Sequence, residues 1–313
     1  MINFRFHLVS LIAVFLALGL GILVGSTVVD QVIVDRLDRE IRSVSHESNQ
    51  LNSDNSKLKD ELSKAQDFLR KSSAFAADQR LTDVPVAVVA DRGVDPGAVS
   101  ATLTMLRAAG ATVPGVLWLT DKWRLDAPKD LRALQSADKR VTGNVAASRL
   151  AALHDVAARL AELPPVRTRV ARDVLEPLRA AGFLDFTDGK RSALDTFPAR
   201  PPRVLVLTGT DSHLSSTDTM VDLVQGLLTA KVSTVLGEVY DAGNAALAPK
   251  RGASLEPVRG DPELAKQVTT FDDAELPQGA LTAVIALQQA EVGIVGHYGY
   301  GEGANETIPA RSP

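Results

Sequence analysis

The segment best equipped for chemistry is Gly209-Thr210-Asp211-Ser212-His213-Leu214-Ser215-Ser216-Thr217-Asp218. It follows an apolar run of strand type and precedes a helical pattern. In open α/β sheets ligands bind at that junction, where helix N-terminal amides are available to an anion. Asp211, His213 and Asp218 carry side chains that ligate metals or move protons, with Gly209 and Ser212 beside them. Ser, Thr and Asp are equally the residues of helix caps and turns, so the loop also reads as ordinary strand-to-helix punctuation.

His213 and His297 are the candidate imidazole ligands for a metal. The chain has five histidines, His7, His46, His154, His213 and His297, and no two are close in sequence. It has no cysteine, which excludes disulfides, thiolate catalysis and cysteine-bound metals. Copper(I) prefers soft sulfur ligands, and after the initiator the only methionines are Met105 and Met220. Met220 is read as a core residue. No GxGxxG, GK[ST], GxSxG or HExxH motif is present.

The elements around the loop follow a strand–helix–strand rhythm. A valine-rich run at 84–89 is closed by Asp91-Arg92-Gly93. Asp95-Pro96 opens a helix with Val99, Leu103, Leu106 and Ala109 on one face, Gly110 ends it, and 113–119 is a second apolar run. Further helices are expected over 144–163 and 168–181, separated by Pro164-Pro165. A Pro- and Arg-rich connector at 197–203 leads to a strand at 204–207, a helix over 216–230 and a strand at 232–236. A last helix is expected over 277–290. Two such βαβ units predict a doubly wound (Rossmann-like) α/β domain over 82–313, as one domain or as two lobes divided near 185–203. The glycine-rich ending at 293–304 reads as a close-packed or mobile terminus, because no helix follows it to make a phosphate loop.

The first quarter of the chain is different. Residues 8–29 contain no charge and, as a helix, extend roughly 33 Å, enough to cross the hydrocarbon core. A cleaved signal peptide is the rival reading, but its apolar region is normally shorter. Arg5 precedes the segment and Asp30 and Asp35 follow it, which predicts a cytoplasmic N-terminus and an extracytoplasmic body at the plasma membrane. Gly21 and Gly25 form a GxxxG pair that allows close helix approach.

A heptad register then runs over 34–69. Val34, Ile41, Ser48, Asn55, Leu62 and Leu69 fall at a; Leu37, Val44, Leu51, Leu58 and Ala65 fall at d. No proline occurs before Pro85 to break the helix. Helices anchored in one membrane pair in parallel, and Asn55 at a favours an in-register two-stranded pair. Charge pairing across the seam is thin, so both a homodimer and a hetero-coiled coil with another membrane protein remain open. The 313-residue chain has 34 Lys plus Arg against 38 Asp plus Glu, a net charge of −4, with no basic run to suit a nucleic acid.

Taken together, FRFHLVSLIAVFLALGLGILVGS at the N-terminus, an immediate coiled coil, an α/β domain and a GHYGYGEGA ending resemble the mycobacterial copper transport protein B family of actinobacterial envelope proteins. The resemblance spans the whole chain. It implies a role in copper homeostasis; a related member is linked with cell-envelope and division functions alongside a second membrane protein. The resemblance carries no copper ligands over, since no Cys or Met cluster is present. A transmembrane β-barrel, as a channel would require, fits poorly with two Trp, three Tyr and long helical stretches. Three classes of function are thus in play: a non-enzymatic membrane-anchored envelope protein, a copper-binding protein using histidine and carboxylate, and an enzyme working at 209–218.

Overall fold

The computed structural model describes residues 4–161, 174–186, 203–214, 216–241, 243 and 249–310. The chain divides into two units, Met1–Ala65 and Gln66–Pro313.

The first unit is helical throughout its described residues. Helix α1 runs over Phe4–Ala77, and its apolar stretch Phe4–Gly25 has a mean hydropathy of 2.7. Downstream, ion pairs at i,i+4 spacing line the surface, among them Arg36–Glu40 at 3.8 Å and Asp60–Lys64 at 2.9 Å. Such pairs add only a few tenths of a kcal/mol each. Leu37, Ile41, Val44, Leu51, Leu58 and Leu62 are all exposed in the single chain. In proteins most of the stability of an amphipathic helix comes from packing its apolar face.

The second unit is built on a seven-stranded sheet of order β3-β2-β1-β4-β5-β6-β7. The strands are β1 (Val86–Asp91), β2 (Val116–Leu119), β3 (Leu184–Phe186), β4 (Arg203–Gly209), β5 (Thr234–Val239), β6 (Thr269–Phe271) and β7 (His297–Tyr298). All neighbours are parallel except β2 and β3. β1 and β4 are buried along their full length, which is why they read as unbroken apolar runs.

Alternate side chains serve two separate cores. Val86, Val88, Ala90, Leu205 and Leu207 pack against α2 (Pro96–Ala108) and α8 (Pro277–Ala290). Ala87, Val89, Val204 and Val206 pack against α3 (Pro128–Ala137), α4 (Val145–Ala161), α5 (Leu175–Ala180) and α6 (Val221–Thr229). The short helix α7 (Glu256–Arg259) precedes β6. Asp95 caps α2 by accepting from the amides of Gly97 and Ala98 at 2.9 and 3.3 Å, with Pro96 at the first helical position.

The expected strand at 84–89 lies over Val86–Asp91, so Asp91 belongs to the strand and not to the turn. The run 113–119 forms a strand only over Val116–Leu119. The helix expected from 216 to 230 begins as a π-helical turn, Ser216–Met220, before α6. Of the helix expected over 168–181, Leu175–Ala180 is seen; Pro164-Pro165, residues 168–173 and most of the connector 197–203 lie outside the described residues. The proposed division near 185–203 also falls largely outside them, while β1 pairs directly with β4 on its far side. β7 places the start of the glycine-rich ending inside the sheet.

Candidate functional site

The chain leaves β1 toward β2 on one side and leaves β4 toward β5 on the other. The carboxyl ends of β1 and β4 are therefore the point where strand order reverses, and open α/β sheets bind ligands there. The 209–214 loop sits at this point, and the two sheet faces divide its residues.

On the α2/α8 face, Gly93, Asp95, Gly209, Asp211, Asp241 and Glu275 border a cleft of about 370 Å³. Close backbone approach shapes it. Gly93 has φ +101°, and a Cβ there would collide with the Asp211 carbonyl. The loops after β4 and β5 are joined: the Asp241 amide donates to the Thr210 hydroxyl at 3.0 Å. A hydrogen bond with Asp241 raises the Asp211 carboxyl above its usual range, with burial and the Asp241 charge adding to it. Glu275 is held from behind, receiving the Tyr240 amide at 3.1 Å and the Arg251 guanidinium at 2.7 Å. Arg251 also stacks 4.3 Å from the Tyr240 ring centroid.

On the opposite face, Asp91 ends β1 and is fully buried. The Thr208 hydroxyl of neighbouring β4 donates to its Oδ2 at 2.7 Å. Burial pushes Asp91 up to about 7, opposed by the Thr208 and Ser212 hydroxyls and the charge of His213. His213 Nδ1 lies 3.1 Å from Asp121 Oδ1, and both side chains are half exposed. Ser212 turns its hydroxyl into its own loop, accepting from the Leu214 amide at 3.0 Å.

The remaining predicted residues go elsewhere. Asp218 pairs with Arg149 of α4 at 3.5 Å, and Arg149 also reaches Asp222 at 3.4 Å, so Asp218 helps fasten α4 to α6. His297 lies on β7, with β5 and β6 between it and β4, and its Nδ1 is 2.9 Å from the Thr270 hydroxyl. Burial lowers its pKa, aided by the Arg259 charge. His213 and His297 are therefore not brought together. Among the described residues no group of three or more His, Asp or Glu side chains is placed to hold a metal ion. Met105 and Met220 are both buried, Met220 as expected for a core residue.

Asp91, Asp121 and Asp241 are absent from the sequence-based candidates. Asp91 had a readable signal, an aspartate at the carboxyl end of a valine-rich strand. Asp121 and Asp241 are recognisable only once the strand order brings their loops beside His213 and Asp211.

The described residues thus combine an apolar helix long enough to cross a membrane with a mostly parallel α/β unit that carries a cleft at its switch point. The chain matches the family model described as copper transport outer membrane protein, MctB, over residues 1–309, and it belongs to that family. Relatives from Mycobacterium bovis and Mycobacterium tuberculosis, each described as copper transporter MctB, are 26% identical over 321 aligned positions. The alignments cover 97% of this chain and 98% of each relative.

Proposed function

We propose that this chain is a single-pass envelope protein that serves copper homeostasis and is not an enzyme. One observation carries the reading: the match over residues 1–309 takes in the apolar helix, the heptad region and the α/β unit together, and the relatives it resembles end to end are copper transporters. The apolar stretch Phe4–Gly25 acts as a retained anchor, with Arg5 inside and the α/β unit outside the plasma membrane. The sheet order, with helices on both faces, supports a doubly wound unit of Rossmann type.

The donors at the switch point fit copper(II) better than copper(I). Asp211 on one face and His213 on the other offer single carboxylate and imidazole donors, whereas the sulfur atoms of Met105 and Met220 are buried. Gly209 and Ser212 shape the loop that carries them. The exposed heptad stripe supports a second role, association through the stalk with another copy or with another membrane protein. Gly21 and Gly25 extend that association into the bilayer.

The reading is tested by growth under graded copper. A strain lacking the chain grows less well as copper rises, and full-length protein restores it while protein lacking residues 4–25 does not. Identical growth of parent and deletion strain at every copper concentration overturns it.

A further inference from the structure

The last turns of α1, which belong to the second unit, have two unlike sides. Ser73 and Ala77 are buried against that unit at 4% and 0% exposure, while Phe75 is 87% and Phe68 70% exposed. These phenylalanines are seven residues apart, two helical turns, and so share one face. Leu69, between them on the neighbouring row, is 37% exposed. Two aromatic rings and a leucine gathered on one helix face are more than the scattered apolar residues a surface normally shows.

The sequence register explains what covers them. With Leu62 and Leu69 at a, Phe68 and Phe75 both fall at g, the position flanking the seam of a parallel pair. Preceding g positions are Glu40, Glu47, Asp54 and Glu61. Acidic residues thus give way to phenylalanine at the edge of the second unit. In a parallel pair each g residue faces the e residue of the next heptad in the partner. Asp54 then meets Lys59, and Glu40, Glu47 and Glu61 meet Ser45, Asn52 and Gln66. One pair attracts and none repels, so the flank admits an identical helix.

We infer that a second copy of this chain covers Phe68 and Phe75, extending the interface past the heptads onto the second unit. The inference rests on the self-association reading and selects the homodimer over the mixed coiled coil. Area supports it. Four phenylalanines, each able to bury about 150–250 Å², supply on the order of 600–1,000 Å², against roughly 1,600 Å² in a typical specific interface. The apolar a and d residues supply the remainder.

The absence of cysteine makes single-cysteine cross-linking a clean test. Full-length Phe68→Cys, Phe75→Cys, Leu51→Cys and Glu263→Cys variants are treated in native membranes with a bis-maleimide long enough to bridge the two flanks of a helix pair, and run on denaturing gels. Leu51→Cys, Phe68→Cys and Phe75→Cys are expected to give a band of twice the chain mass, and Glu263→Cys, on an exposed turn, is expected to give none. If Leu51→Cys links and both phenylalanine positions do not, the stalk pairs but the extension is overturned. If none links, self-association fails with it. A band matching a different protein assigns the face to another partner and overturns the homodimer.

Discussion

Arg259 and Asp272 form the most completely buried ion pair in the described molecule, 2.8 Å apart with side chains 3% and 0% exposed. The same guanidinium donates to the carbonyls of Tyr298 and Glu302 at 2.8 and 2.9 Å. The Asp272 carboxylate in turn accepts the amides of Tyr300 and Gly301 at 2.7 and 3.1 Å. The glycine-rich ending is thus fastened by a charge pair contributed from α7 and the end of β6.

Arg259→Met removes one member of a buried pair and leaves Asp272 uncompensated. A loss of about 3–5 kcal/mol is expected, measured as a lower denaturation midpoint of the purified full chain. An unchanged midpoint would show that the ending is held by other contacts.

Gly299 has φ +117°, and a Cβ there would collide with the Asp272 carboxylate. Gly299→Ala should therefore destabilise by at least about 1–2 kcal/mol through backbone strain and displacement of the carboxylate. Gly293→Ala is the comparison: it also has positive φ, at +75°, but open space around it. Its loss is expected to be smaller, and equal losses would contradict the collision.

Asp91 titrates at about 7 in the folded chain against 3.8 in the free side chain. The folded form keeps a proton that the unfolded chain gives up. The stabilisation is full below about pH 4 and is lost as pH rises to about 7, by up to about 1.4 kcal/mol per pH unit. Asp273, pushed up to about 7 chiefly by burial, acts in the same sense. Asp91→Asn keeps an acceptor for Thr208 but cannot ionise. Melting temperatures at pH 5 and pH 8 should therefore fall less in Asp91→Asn than in the parent, and parallel falls would place the titration elsewhere.

These buried acids mark where sequence reading stops. Asp95-Pro96 announced α2, and the Val-rich runs announced β1 and β4, because capping chemistry and full burial are local signals. The two-residue strand β7 is too short to leave a periodic pattern. Arg259 and Asp272 are thirteen residues apart, and the Gly299–Gly301 segment that joins them is about thirty residues further on. Such a network exists only after the sheet has formed. The 209–214 loop was legible as a strand-to-helix junction, but its place at the switch point follows from the strand order, and the way its residues divide between two faces follows from strand parity and from neighbours at Asp121 and Asp241.

Leu51→Pro and Leu58→Pro each remove a helical hydrogen bond and kink the heptad region, at about 3 kcal/mol or more each. The doubly substituted chain should lose assembly in native membranes while its α/β unit resists protease as before. Assembly that persists in both substitutions would exclude the stalk as the association element.

The most direct test of the copper reading is metal content. Cells lacking the chain, challenged with sublethal copper, are compared with parent and complemented cells by elemental analysis of washed cells, with zinc and iron measured alongside. A role in copper homeostasis predicts a shift in cell-associated copper of several-fold that complementation reverses, with zinc and iron unchanged. Equal copper in all three strains, or a shift common to every metal, would contradict it.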